Sequence, residues 1–215
     1  MAELLDTPTT LGPGMVKVCC GPMFSGKTAQ MLSDVQTARY AGLPCVVVKY
    51  EGDTRYSAGA RIVSHGGAEL QSSAATEGQA RVRVVAARRL GEVELEEDER
   101  VIGIDEGQFF ADLAAQADAW ADRGLTVVVA ALDASFYRKP FGGVSELAAL
   151  AEHVVKLRGV CMKCRQRPSA FTQLLADAET APPGPDGAPR RIGGLEAYRA
   201  VCRGCWAPPV ASRPG

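Results

Sequence analysis

The 215 residues predict an α/β domain with a mainly parallel sheet, and three features of the sequence carry that expectation. Short β-branched apolar runs recur along the chain, as strands buried on both faces of a sheet require. Segments with apolar residues at helical spacing lie between those runs. A glycine-rich turn, Gly21-Pro22-Met23-Phe24-Ser25-Gly26-Lys27-Thr28, separates the first run from the first helical segment. After about residue 160 the apolar periodicity fades while Cys, Gly, Pro and Arg rise, which marks off a small second domain.

Taken in order, residues 16–20 form the first strand candidate and residues 29–41 the helix after the turn. Further strand candidates are residues 44–49, 81–86, 100–104, Thr126–Leu132 and 154–157. Residues 112–123 place Leu113, Ala114, Ala117, Trp120 and Ala121 at helical spacing, with Gly124 as a stop, and Trp120 reads as core. Residues 145–153 form another helix candidate, with His153 at its end. The charge cluster at residues 92–100 reads as a solvated loop. The Pro- and Gly-rich residues 181–189 suit neither a helix nor an inner strand and read as a surface loop. The expected organisation is a tail over residues 1–14, an α/β domain over 15–159, a small domain over 160–206 and a second tail over 207–215.

Bulk properties narrow the function classes. A formal net charge of −1 and a pI near 6.2 argue against a basic nucleic-acid footprint. No apolar run approaches the length of a transmembrane helix. Residues 1–14 carry Glu3 and Asp6 and lack the pattern of a signal peptide, so a cytoplasmic setting is expected. In that setting seven cysteines suit buried thiols or metal ligands better than disulfides. Cys19, Cys20 and Cys45 lie in strand candidates and read as small buried hydrophobes.

The turn at residues 21–28 matches the phosphate-binding pattern G-x-x-x-x-G-K-[ST] between a strand and a helix. Backbone N–H groups of such a loop point at polyphosphate, a lysine (here Lys27) reaches the β- and γ-phosphates, and a hydroxyl (here Thr28) holds Mg²⁺. Downstream, the run 101–104 ends in Asp105 and Glu106. A carboxylate at such a strand end holds Mg²⁺, directly or through water, which suits Asp105. Glu106 is a second carboxylate beside the γ-phosphate and can accept a proton from an attacking hydroxyl or water. With water as acceptor the chain is a RecA-like motor ATPase acting on nucleic acid, and with a hydroxyl as acceptor it is a kinase. These two motifs leave that choice open.

Cys161-x-x-Cys164 and Cys202-x-x-Cys205 form two pairs, each able to grip one metal ion. Four thiolates suit one structural Zn²⁺ per chain in a closed site, which would fasten a segment with little core of its own. A zinc-ribbon nucleic-acid module on an inactive nucleotide fold is the competing reading. Lys163, Arg165, Arg167 and Arg203 supply some charge for it, but no aromatic platform accompanies them.

Beyond these motifs the chain resembles the type II, cytosolic-type thymidine kinase family. The matching stretches are residues 21–28, Lys49-Tyr50, residues 53–56, residues 102–110, residues 130–133, Phe136, residues 138–142, residues 155–157, both cysteine pairs, and residues 192–194 before Tyr198. The resemblance implies transfer of the γ-phosphoryl group of ATP to the 5′-hydroxyl of thymidine in deoxynucleoside salvage, on a RecA-like core. It gives Glu106 the general-base position. It extends the phosphate-side set to Gly107 and Gln108 and places Asp53 and Arg55 in a lid-like segment, with Asp53 beside Thr28 and Asp105 on the Mg²⁺ side. Met23, Phe109, Leu132, Phe136 and Phe141 are implied to line the deoxyribose and base pocket. Thr172, Ile192, Gly193 and Tyr198 are implied to lie in a loop, anchored by the zinc site, that folds over the base. A homotetramer and feedback inhibition by thymidine triphosphate (dTTP) are implied as well, with neither nucleic acid nor membrane as partner.

Overall fold

The computed structural model of the chain describes residues 12–52, 61–64, 66–175 and 193–208. The expectations for residues 1–11, Asp53, Arg55, the 181–189 loop, Ile192 and residues 209–215 lie outside the described residues.

The first strand, β1 (Met15–Gly21), is buried along its whole length. The loop that follows turns into α1 (Lys27–Tyr40), which buries Met31, Leu32, Val35 and Ala38 on one side. The chain continues through β2 (Cys45–Tyr50), β3 (Arg61–Val63), β4 (Glu69–Gln71), β5 (Val82–Ala87) and β6 (Val101–Ile104). After β6 come a single 3₁₀ turn at Gly107–Phe109, α2 (Leu113–Asp122), β7 (Thr126–Leu132), α3 (Gly142–Leu150) and β8 (His153–Lys156). The short strands β9 (Phe171–Leu174) and β10 (Tyr198–Val201) close the order.

Among the described residues, six strands form one sheet in the order β5-β2-β6-β7-β1-β8, every neighbouring pair parallel. One face packs on α1, where Met31 and Val35 meet Val47, Val101 and Val128. Gly103 permits that approach, because a Cβ there would stand 2.9 Å from the Met31 sulfur. The other face packs on α2 and α3 through Leu113, Ala117, Trp120, Val144 and Leu147, so Trp120 is core as expected. A buried ion pair, Lys17 Nζ to Asp34 Oδ2 at 2.7 Å, ties β1 to α1. The strand β7 lies between β1 and β6, so the phosphate-type loop and the acidic strand end project from the same edge of the sheet, one strand apart. Among the described residues no helix is long and apolar enough to cross a membrane.

Two sequence expectations change. The helix predicted at 145–153 runs instead over Gly142–Leu150, and His153 opens β8, paired with Lys17 of β1. Backbone pairing of 153–156 with β1 outweighs the helical spacing of the preceding alanines. The charge cluster at 92–100 is not wholly solvated either. Glu99 is buried and bound by Arg83, Nε to Oε1 at 3.0 Å and a second guanidinium nitrogen to Oε2 at 2.9 Å. That bidentate pair fixes the loop leading into β6.

Candidate active site

The loop between β1 and α1 is shaped by two glycines. Gly21 stands at φ 144°, and a Cβ on it would meet the Leu157 carbonyl oxygen at 2.4 Å. Gly26 stands at φ 86° and caps α1 without a side chain, so the helix N-terminus faces the loop's interior. The Lys27 ammonium donates to the Pro22 carbonyl at 2.8 Å, and the Ser25 hydroxyl donates to the same oxygen at 2.8 Å. Burial lowers the Lys27 pKa below the ordinary lysine value, while Glu106, Asp105 and Asp133 pull it back up. Asp133 itself is paired with Lys156 at 2.7 Å.

Thr28 and Asp105, both singled out from the sequence, lie together: the Thr28 hydroxyl donates to Asp105 Oδ1 at 2.8 Å. Glu106 follows with φ 53° and ψ 42°, a left-handed conformation rare for a residue with a side chain. Gly107 sits behind it, where a Cβ would come within 2.8 Å of Val129 Cγ1. Gln108 is buried. Its amide donates to Glu106 Oε2 and its carbonyl accepts the Leu132 N–H at 2.8 Å.

Several of these groups border one cavity of about 400 Å³. Phe24, Gly26, Lys27, Thr28, Asp105, Glu106 and Gln108 line its polar end. Met23, Phe109, Leu132, Phe136, Phe141, Thr172, Gly193 and Tyr198, all singled out from the sequence, line the rest. Gly21, Pro22, Ser25 and Gly107 are not among the residues that line the cavity. Ring contacts order the apolar walls. Tyr50 stacks on Phe109 with centroids 5.1 Å apart, and Phe136 faces Tyr198 at 6.0 Å. Sequence reasoning missed Ser64, Gly66, Ser135, Met162 and Leu195, which also line the cavity. Met162 is an unassigned position inside the first cysteine pair, and the other four lie in short turns that carry no motif.

The four cysteines of the two pairs converge, their sulfurs all within 4.8 Å of one another. A tetrahedral thiolate site with metal–sulfur bonds of about 2.3 Å puts the sulfurs about 3.8 Å apart. Cys164 Sγ and Cys202 Sγ lie 3.9 Å apart, so the cluster fits a single Zn²⁺. Burial opposes ionisation of Cys161, but backbone hydrogen bonds from Cys164, Cys202 and Lys163 outweigh it and draw its pKa down to about 6. By contrast, burial pushes Cys19 and Cys45 up to about 12, and these two read as packing groups.

The cysteine cluster is tied to the cavity in two places. Thr172 of β9 accepts the Met23 N–H at 3.0 Å, joining the phosphate-type loop to the β9–β10 ladder. The Arg138 guanidinium lies 4.3 Å from the Phe171 ring centroid and 5.0 Å from that of Trp206, both packed against the cysteines. Arg138 closes the turn that carries Ser135 and Phe136, its N–H donating to the Ser135 carbonyl at 2.8 Å.

A family model described as thymidine kinase matches residues 14–206. The chain belongs to the thymidine kinase family. Among relatives of that family, the cytosolic thymidine kinase of Homo sapiens is 40% identical over 201 residues, covering 94% of this chain and 76% of the relative. The thymidine kinase of Variola virus is 36% identical over 193 residues, covering 90% of this chain and 97% of the relative. Thymidine kinase 1 of Dictyostelium discoideum is 35% identical over 194 residues, covering 90% and 78%. The family match spans the phosphate-type loop, the acidic strand end, the cavity and both cysteine pairs.

Proposed function

We propose that the protein transfers the γ-phosphoryl group of ATP to the 5′-hydroxyl of thymidine, giving thymidine monophosphate (dTMP) and ADP in deoxynucleoside salvage. One observation carries this reading beyond family membership. A phosphate-type loop and a carboxylate open onto one cavity, and Met23, Phe109, Leu132, Phe136, Phe141 and Tyr198 make the rest of its lining largely apolar. A motor ATPase needs a water site at the γ-phosphate, and a largely apolar chamber beside it suits a bulkier acceptor.

In this reading the loop 21–28 cradles the triphosphate and Lys27 leaves the Pro22 carbonyl for the β- and γ-phosphates. Gly107, behind Glu106, belongs to the same phosphate side. Thr28 and Asp105, with Asp53, would hold Mg²⁺, which neutralises charge developing between the β- and γ-phosphates. Arg55 belongs to the same lid-like segment as Asp53. Thymidine lies against Met23, Leu132, Phe136, Phe141 and Tyr198, with its 5′-hydroxyl toward Glu106. Glu106 takes the hydroxyl proton while the 5′ oxygen bonds to the γ-phosphorus and the bond to the bridging oxygen of ADP breaks. Thr172, Ile192 and Gly193 belong to the segment that covers the base and excludes water. Cys161, Cys164, Cys202 and Cys205 would hold one Zn²⁺, which fastens that segment and takes no part in the chemistry.

Residues 15–159 are read as the kinase domain and 160–206 as the zinc-binding domain. A cytoplasmic setting follows the cytosolic relatives. A homotetramer and inhibition by dTTP are expected from the family. The nucleotide carries a thymine base and a triphosphate, which suit the two ends of one cavity. The deciding test is turnover of ATP with thymidine, uridine or deoxycytidine, identifying products. Thymidine should yield dTMP fastest, and folded protein that forms no dTMP ends this reading.

A further inference from the structure

Gln108 is 3% exposed, and its side chain is engaged at both ends. The Leu132 N–H, which can only donate, meets Oε1 at 2.8 Å. The amide orientation is thereby fixed, and its NH₂ faces Glu106 Oε2. Leu132 is the last residue of β7, in register with Gly21 of the phosphate-type loop, and lines the acceptor end of the cavity. Backbone packing at Gly107 and the left-handed geometry at Glu106 fix where the Glu106 side chain starts. They do not fix its outer torsions, which the hydrogen bond from Gln108 restrains.

We propose that Gln108 is a positioning residue whose amide braces the Glu106 carboxylate against the end of β7, holding the base in line with the acceptor hydroxyl. The proposal rests on the reading of Glu106 as general base, and it gives Gln108 a role besides the phosphate-side one that the resemblance implies. A base held by a flexible side chain loses alignment easily, and misplacement by about 1 Å can cost about 100-fold. The brace also links base and pocket: the strand end that shapes the nucleoside chamber is the one that sets the carboxylate's position.

Two variants separate bracing from simple anchoring. Gln108→Glu keeps an oxygen for the Leu132 N–H but turns a second carboxylate oxygen toward Glu106. Gln108→Met keeps side-chain length and removes both hydrogen bonds. In each, kcat for dTMP formation should fall about 10- to 100-fold, while KM for ATP stays within about threefold. In the Glu106→Gln background, adding Gln108→Met should change kcat by less than about twofold, since no carboxylate remains to hold. Near-wild-type kcat in Gln108→Glu, a defect confined to KM for ATP, or losses that multiply in the double variant would each overturn the brace. If Gln108→Met fails to fold, Gln108→Glu decides alone. Near-wild-type kcat in Glu106→Gln would end the base reading and the brace together. A large loss there with an active Gln108→Glu would end only the brace.

Discussion

At Glu106 a residue with a side chain occupies backbone space that costs about 1–3 kcal/mol. The close fit of Gly107 against Val129 and the hydrogen bond from Gln108 keep it there. Such strain is tolerated where it aims a reactive group, and the chemistry assigned to Glu106 is testable directly. Glu106→Gln should retain ATP-analogue binding and lose kcat by about 10²- to 10⁴-fold, read by calorimetry and steady-state rates. Near-normal kcat would remove Glu106 as base. Lys27 gives a pH prediction. Burial holds its pKa below the ordinary 10.5, and a bound triphosphate raises it by opposite charge. The free protein therefore loses the Lys27 proton at lower pH than the complex does. Affinity for an ATP analogue should fall as pH rises through the alkaline range below 10.5, and Lys27→Arg should flatten that fall. At this scale the sequence revealed what is contiguous. Residues 21–28 and Asp105-Glu106 carry their chemistry in short strings. Gln108 does not, because its role depends on Leu132, which only the fold brings near.

At the scale of elements, the strands of the main sheet were legible because β-branched runs such as Thr126–Leu132 bury both faces. The short ladders β3–β4 and β9–β10 were not, since three- or four-residue strands carry too little alternation to stand out. The boundary between α3 and β8 was misread for a related reason. Ala151 turns extended, at ψ 139°, and the following residues pair with β1. The loop before β6 also depends on tertiary contacts. Glu99 is fully buried, while its partner Arg83 keeps 27% of its side chain exposed. Breaking a fully buried pair costs about 3–5 kcal/mol, and the partial exposure of Arg83 lowers that, so Glu99→Ala should cost about 2–3 kcal/mol in chemical denaturation. A loss under about 0.5 kcal/mol would show the pair to be an ordinary surface contact.

Over the whole molecule, the cysteine cluster is more than a distant fastening. Through Thr172 it reaches the phosphate-type loop, and through the Arg138 stack it reaches the turn bearing Phe136. The metal chemistry was legible in the cysteine spacing, but these two struts were not, because each joins residues far apart in sequence. The prediction is about one Zn²⁺ per chain. Its removal should lower the melting temperature and raise KM for thymidine more than KM for ATP. Fully active, metal-free protein would refute this. The central claim is that the cavity delivers the γ-phosphoryl group to a nucleoside and not to water. The most direct measurement follows ADP, inorganic phosphate and dTMP together, with and without thymidine. The account predicts dTMP formed in step with ADP and little ADP when thymidine is absent. ADP and inorganic phosphate released at the same rate in both cases, without dTMP, would contradict it.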